Sequence, residues 1–160
     1  EFKIKCQLTP NQHALALKIQ EANSVCLNVR RADFVNNPLA NQFHGFCDSS
    51  YLQKAAERIL GIHPEVAFYV FSDDIAWCQS NLQLPAPTTF VDHSFKGQKF
   101  ETYLYLMTLC NHFVIPNSTF GWWAAWLASN KQKIVIAPEN WFVDKSIVTS
   151  DLIPQSWIRL

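Results

Sequence analysis

Two short stretches of this chain carry polar groups that could hold an anionic ligand. In Asn28-Val29-Arg30-Arg31-Ala32-Asp33-Phe34, adjacent arginines follow the apolar run Ser24-Val25-Cys26-Leu27. In Asn117-Ser118-Thr119-Phe120-Gly121-Trp122-Trp123, two hydroxyls follow the apolar run His112-Phe113-Val114-Ile115 and open a helical pattern. Arg presents a planar fork of donors that matches phosphate oxygens, and a helix N-terminus adds unpaired N–H groups and a positive dipole end. Together they suit a diphosphate. A helix cap would account for one of the two hydroxyls, Ser118 or Thr119, but not both. Asn117-Ser118-Thr119 also spells a glycosylation sequon, but a strand-to-helix turn at a ligand edge argues against modification.

Such groups are useful only if strands deliver them to one edge. Short apolar runs alternate with helical patterns along the chain. Ser24 to Val29, Val66 to Phe71, Thr89 to Val91, His112 to Pro116 and Lys133 to Ala137 read as strands. Tyr51 to Leu60, Phe100 to Leu109 and Thr119 to Leu127 read as helices, with a short one around Trp77 and Cys78. Gly61 is expected to stop the first of these, and Ser72 or Asp73 to cap the short one. Trp122, Trp123 and Trp126 fall at helical spacing and are read as core. The tail from Asp151 to Ile158 mixes Pro with large apolar residues and is expected to dock on the body. Alternating strand and helix predicts a parallel sheet with helices on both faces, whose ligands sit at the carboxyl ends of the strands.

Composition bounds the alternatives. A chain of 160 residues with 49% hydrophobic and 16% charged residues can bury a real core. Thirteen basic side chains balance thirteen acidic ones, so nothing points to nucleic acid as a partner. No apolar stretch reaches the roughly 18 to 20 residues that span a bilayer. The start, Glu1-Phe2-Lys3-Ile4-Lys5, does not read as a signal peptide, and its lack of an initiator Met is expected of a processed or truncated product. The five cysteines lack CxxC spacing, which favours a reducing compartment and leaves one disulfide open. Cys26 and Cys110 lie in apolar context and read as core thiols. His44 and Cys47 are spaced like half a zinc site with no second pair, so no metal site is expected.

The motifs, taken in order, resemble those of the α-1,2-fucosyltransferases, which move L-fucose from GDP-fucose to a galactose 2-hydroxyl. The first is the arginine motif from Asn28 to Phe34. The second is Tyr69-Val70-Phe71-Ser72-Asp73-Asp74-Ile75-Ala76-Trp77-Cys78, and the third runs from Leu106 to His112 and on through Asn117 to Trp123. Ile134 to Pro138, Trp141-Phe142, Asp151 to Pro154 and Trp157 complete the set. The resemblance implies a Rossmann-like three-layer α/β domain with a mainly parallel sheet, one half of a two-domain glycosyltransferase fold. Residues 1–22 would be a linker or remnant of the preceding half, and 23–160 the domain that binds the GDP-sugar.

The resemblance implies nucleotide contacts from Asn28, Arg30, Arg31, Asp73, Asn117, Ser118 and Thr119. Of the two arginines, Arg30 is expected at the phosphate and Arg31 as a strut to Asp33 or Asp73. Transfer would be inverting and free of metal or cofactor, GDP-fucose being a substrate. The partners would be that nucleotide sugar, a glycan acceptor and an acceptor-side domain not contained in these residues. The setting would be the cytoplasm, at the inner membrane face in a bacterium, or the Golgi lumen in a eukaryote. Two positions depart from the family: Asn28 stands where it has His, and Tyr103 where it favours an Asp that reads guanine. Glu101 is offset by two residues, about 200° around a helix, and cannot replace that Asp. No spacing singles out a catalytic base among Asp33, Asp48, Asp73 and Asp74; Asp33 is kept as the candidate, although orienting the arginines suits it better. The departures favour a second reading, a catalytically degenerate nucleotide-binding or interaction module. Transfer of a different activated sugar is a third.

Overall fold

A computed structural model describes residues 4–31, 47–144 and 146–160. Asp33 and His44 lie outside the described residues, and with them the Asp33 assignment and the half zinc site. Strands β1 (Ser24–Val29), β2 (Ala67–Ser72), β3 (Thr88–Val91), β4 (His112–Val114), β5 (Val135–Ala137) and β6 (Ile158–Arg159) form one sheet. Their order is β3-β2-β1-β4-β5-β6, and every pairing is parallel. Helices α1 (Pro10–Glu21), α2 (Ser49–Ile62), α3 (Ile75–Asn81), α4 (Glu101–Thr108) and α5 (Thr119–Leu127) cover it.

The strand sequences dictate this burial on both faces. Successive side chains point to opposite sides of a strand, so a continuously apolar strand needs a layer on each. Val25, Leu27 and Val29 of β1 join Phe68, Val70, Val114 and Ile136 in one core, closed by Leu52, Ala55, Ala56 and Ile59 of α2. Cys26, Tyr69, Phe71, Phe113 and Val135 face the other way, onto Leu15, Ala16 and Ile19 of α1, Leu106 and Met107 of α4, and Ala124 and Ala125 of α5. The predicted three-layer α/β architecture is therefore present.

Several local expectations give way. α2 runs through Gly61 to Ile62, and its end is set by Pro64: His63 sits at φ −126°, ψ 94°, the extended backbone that a residue before proline prefers. The cap of α3 is Asp74, whose carboxylate accepts the Trp77 N–H at 3.1 Å. Ser72 is still in β2, and its hydroxyl instead accepts the Asp74 N–H at 2.9 Å. The buried stripe of α5 is Gly121, Ala124 and Ala125 rather than the tryptophans. Small residues let that helix lie close to the sheet; Trp122 stacks on Trp126 at its flank, and Trp123 and Trp126 are exposed. The tail does dock, burying Ile153 and Trp157 and adding β6 beside β5, a strand too short to read from sequence. Near the start, α1 has Pro10 in its first turn and a capping box between Thr9 and Gln12, and its apolar face packs into the core.

Candidate functional site

Chain order reverses at β1: the path runs outward through β2 and β3, then returns to place β4 on the other side. The carboxyl ends of β1 and β4 therefore flank a switch point, where open α/β sheets bind ligands. A cavity of about 580 Å³ opens there. Asn28, Val29 and Arg30 line it from β1, Ser72 and Asp73 from β2, and Asn117, Ser118, Thr119 and Phe120 from the turn into α5. Lys99, Phe100 and Tyr103 close one side, and Trp141 and Phe142 another.

The two arginines part company. Arg30 lines the cavity, half-exposed, with its Nε 3.4 Å from the Asp73 carboxylate. Arg31 is not among the cavity-lining residues. Its guanidinium lies 4.2 Å from the Trp77 ring centroid, with Nε 3.9 Å from Asp74, so it braces α3. Among the described residues, the partners of its guanidinium are thus Asp74 and Trp77. Asp73 also accepts the Arg31 backbone N–H at 2.9 Å, which pins the turn between β1 and α3.

Across the cleft, α5 begins at Thr119 with Ser118 as its N-cap residue, and the Ser118 side chain makes no capping hydrogen bond. The first-turn N–H groups of an α-helix have no intrahelical partner, and here that turn, Thr119 and Phe120, lines the cavity. Asn117 is buried; its Nδ2 donates to the Trp141 carbonyl at 3.2 Å, and its Oδ1 lies 3.8 Å from the Cys47 sulfur. A buried amide so engaged is not a glycosylation acceptor. Burial raises the Cys47 thiol to about 11, which makes it a poor nucleophile.

Asn28 is buried between strand and helix. Its Nδ2 donates to the Phe71 carbonyl at 3.1 Å, and its Oδ1 has no hydrogen-bond partner among the described residues. That oxygen lies against Gly121, where a Cβ would stand 2.6 Å away. Tyr103 donates its hydroxyl to the Val91 carbonyl at 2.5 Å and accepts the Ser72 N–H at 3.3 Å. Glu101 folds back onto its own loop, accepting the Lys99 N–H at 2.7 Å and the Gln98 N–H at 3.1 Å. Asp48 caps α2 through the Tyr51 N–H. No cluster of metal-ligating side chains occurs among the described residues. No described helix is long and apolar enough to cross a membrane.

Sequence reasoning missed Lys99, Phe100, Phe120, Trp141 and Phe142. Trp141-Phe142 stood inside a recognised block without a role, and nothing in Lys99-Phe100 signals a site before the loop is folded.

The strand order and switch-point cleft define an α/β domain of Rossmann type. The glycosyl transferase family 11 model matches residues 3–160, and the chain belongs to that family. It is 36% identical over 143 residues to the O-antigen biosynthesis glycosyltransferase WbnK of Escherichia coli, covering 88% of this chain and 46% of that protein. It is 32% identical over 142 residues to an alpha-1,2-colitosyltransferase of Escherichia coli, covering 89% and 49%. Against galactoside alpha-(1,2)-fucosyltransferase 2 of Mus musculus it is 32% identical over 111 residues, covering 68% and 31%. The chain thus spans about half the length of the bacterial relatives.

Proposed function

We propose that this chain is the donor-nucleotide half of an α-1,2-fucosyltransferase, holding the diphosphate of GDP-fucose between Arg30 and the N-terminus of α5. One observation carries the reading: the switch-point cavity has a guanidinium on one lip and an α-helix start without a side-chain cap on the other. The names of the relatives, which include fucosyl- and colitosyltransferases, support the same chemistry. As the bond to the sugar breaks, GDP gains negative charge. Arg30 and the α5 N–H groups stabilise that charge from fixed positions, so no metal ion is needed.

Inverting transfer needs the acceptor 2-hydroxyl about 3 to 3.5 Å from the sugar carbon, with a base beside it. Asp73, Asp74 and Asp48 are already engaged as described, and in this reading the acceptor and its base are held by an acceptor-side domain. The transferase activity is that of the longer protein. The degenerate-module reading retains one specific support, the occupied Tyr103 hydroxyl where a base-reading carboxylate is the family's choice. A bacterial member would work in the cytoplasm beside the inner membrane, a eukaryotic one in the Golgi lumen.

Calorimetry with GDP, in buffer containing EDTA, tests the proposal. GDP should bind with the same affinity with and without the chelator. Absence of GDP binding, or binding lost to EDTA and restored by Mg²⁺ or Mn²⁺, would contradict it.

A further inference from the structure

A carboxylate lines the cavity that the proposal above gives to a diphosphate. Asp73 stands in its wall beside Arg30, although carboxylate and phosphate oxygens are both acceptors and repel each other. Its place there follows from the register of the sheet. β1 and β2 run parallel with Val29 opposite Ser72, so the next residues, Arg30 and Asp73, leave the strand ends side by side. The doublets Arg30-Arg31 and Asp73-Asp74 then pair in order. Arg30 Nε lies 3.4 Å from Asp73 Oδ2, and Arg31 Nε lies 3.9 Å from Asp74 Oδ2.

In the first pair Asp73 is the anchored member. Its side chain is 17% exposed, against 38% for Arg30. Its Oδ1 accepts the Arg31 backbone N–H at 2.9 Å, and the Ser72 hydroxyl lies 3.5 Å from the same oxygen. The carboxylate is thus fixed to the strand ends, while Arg30 reaches the cavity on a long stem with many rotamers. Ordering such a side chain weakens binding unless it has been ordered beforehand. A guanidinium can serve two anions at once, because its Nε and Nη donors point along different edges of one plane.

Building on the diphosphate assignment above, we infer that Asp73 is a positioning residue, holding Arg30 by its Nε edge so that the Nη donors meet the phosphate oxygens. It acts on the ligand through Arg30 alone. The competing role is a direct contact, in which Asp73 accepts a hydroxyl of the ribose or the sugar. Such a contact would not depend on Arg30, and it would vanish for a ligand without a ribose or sugar.

Calorimetry on the folded chain with GDP and with inorganic pyrophosphate separates the two roles, using Asp73→Asn, Arg30→Ala and the double variant. Asp73→Asn keeps the size of the side chain and an oxygen for the Arg31 N–H, and removes the charge that faces Arg30. Unfolding curves show that each variant is folded, and Asp73→Ser, which also keeps an acceptor oxygen, repeats the cycle with a second side chain.

In the unaltered background, Asp73→Asn should weaken GDP and pyrophosphate alike, by about three- to tenfold. In the Arg30→Ala background the same change should leave both unaltered, or tighten them by up to about threefold, because only the repulsion remains to be lost. Three results would overturn the inference and leave the diphosphate site standing: no loss in the unaltered background, a loss for GDP without one for pyrophosphate, or a loss that persists in the Arg30→Ala background. Failure of the unaltered protein to bind both pyrophosphate and GDP would strike the diphosphate site itself, and this inference with it.

Discussion

At the scale of single residues, the same side-chain type does different work according to what lies beneath it. Arg30 and Arg31 are adjacent, yet one faces the cleft and the other lies on Trp77. The doublet was legible in the sequence, but the contacts of Arg31 with Asp74 and Trp77 were not, because these come from a helix after the next strand. His112 shows the opposite case, a polar residue absorbed by the fold. Its Nδ1 accepts the Ile134 N–H at 3.1 Å, which places the ring proton on Nε2, 3.1 Å from the Asn23 side-chain oxygen. Burial, with the stacked His63 ring beside it, lowers its pKa to about 4. The unfolded chain binds a proton below about pH 6.5 that the folded chain refuses until about pH 4. Stability should therefore be full above about pH 6.5 and fall as pH drops toward 4, by at most about 1.4 kcal/mol per pH unit from this one group. Urea unfolding at several pH values checks it, and His112→Gln should flatten the slope. An unchanged slope in that variant would mean other groups carry the acid sensitivity.

At the scale of elements, what matters is how closely α5 approaches β1. The bounds of this helix, Thr119 to Leu127, were legible because Pro116 and the Ser-Thr pair fix its start. Its orientation was not legible. Three tryptophans dominate its composition, and only the close approach of Gly121 to Asn28 reveals that the small residues face inward. Gly121→Ala tests this with a clear sign. On an exposed helix face the change would stabilise by about 1 kcal/mol. Here the new Cβ would stand 2.6 Å from Asn28 Oδ1 and 3.3 Å from both Ile115 Cβ and Pro116 Cδ, so the helix start must shift. Thermal unfolding should show a loss of about 1 to 3 kcal/mol, the usual cost of overpacking, with weaker GDP binding. A gain in stability would show that α5 does not sit where described. The loop before α4 lay beyond sequence reasoning for a related reason: a left-handed Phe100 follows from contacts with Gly97, Glu101 and Tyr103 that exist only once the chain is folded.

At the scale of the whole molecule, the fold class followed from continuous apolar strands separated by helical patterns, and the cleft from the reversal of strand order at β1. The sixth strand escaped because two residues, Ile158 and Arg159, give no periodicity to read. The two motifs named first meet across a single cavity, and the proposed diphosphate site rests on that meeting. Arg30 is the hinge of that claim. It is a charge-assisted donor on the cavity wall, and losing such a contact should cost roughly 1.5 to 3 kcal/mol. The most direct measurement is the dissociation constant for GDP of Arg30→Ala against the unaltered chain, with unfolding curves to show that both are folded. Affinity should fall by about ten- to hundredfold. GDP binding unchanged in Arg30→Ala would contradict the placement of the diphosphate, and with it the donor site described here.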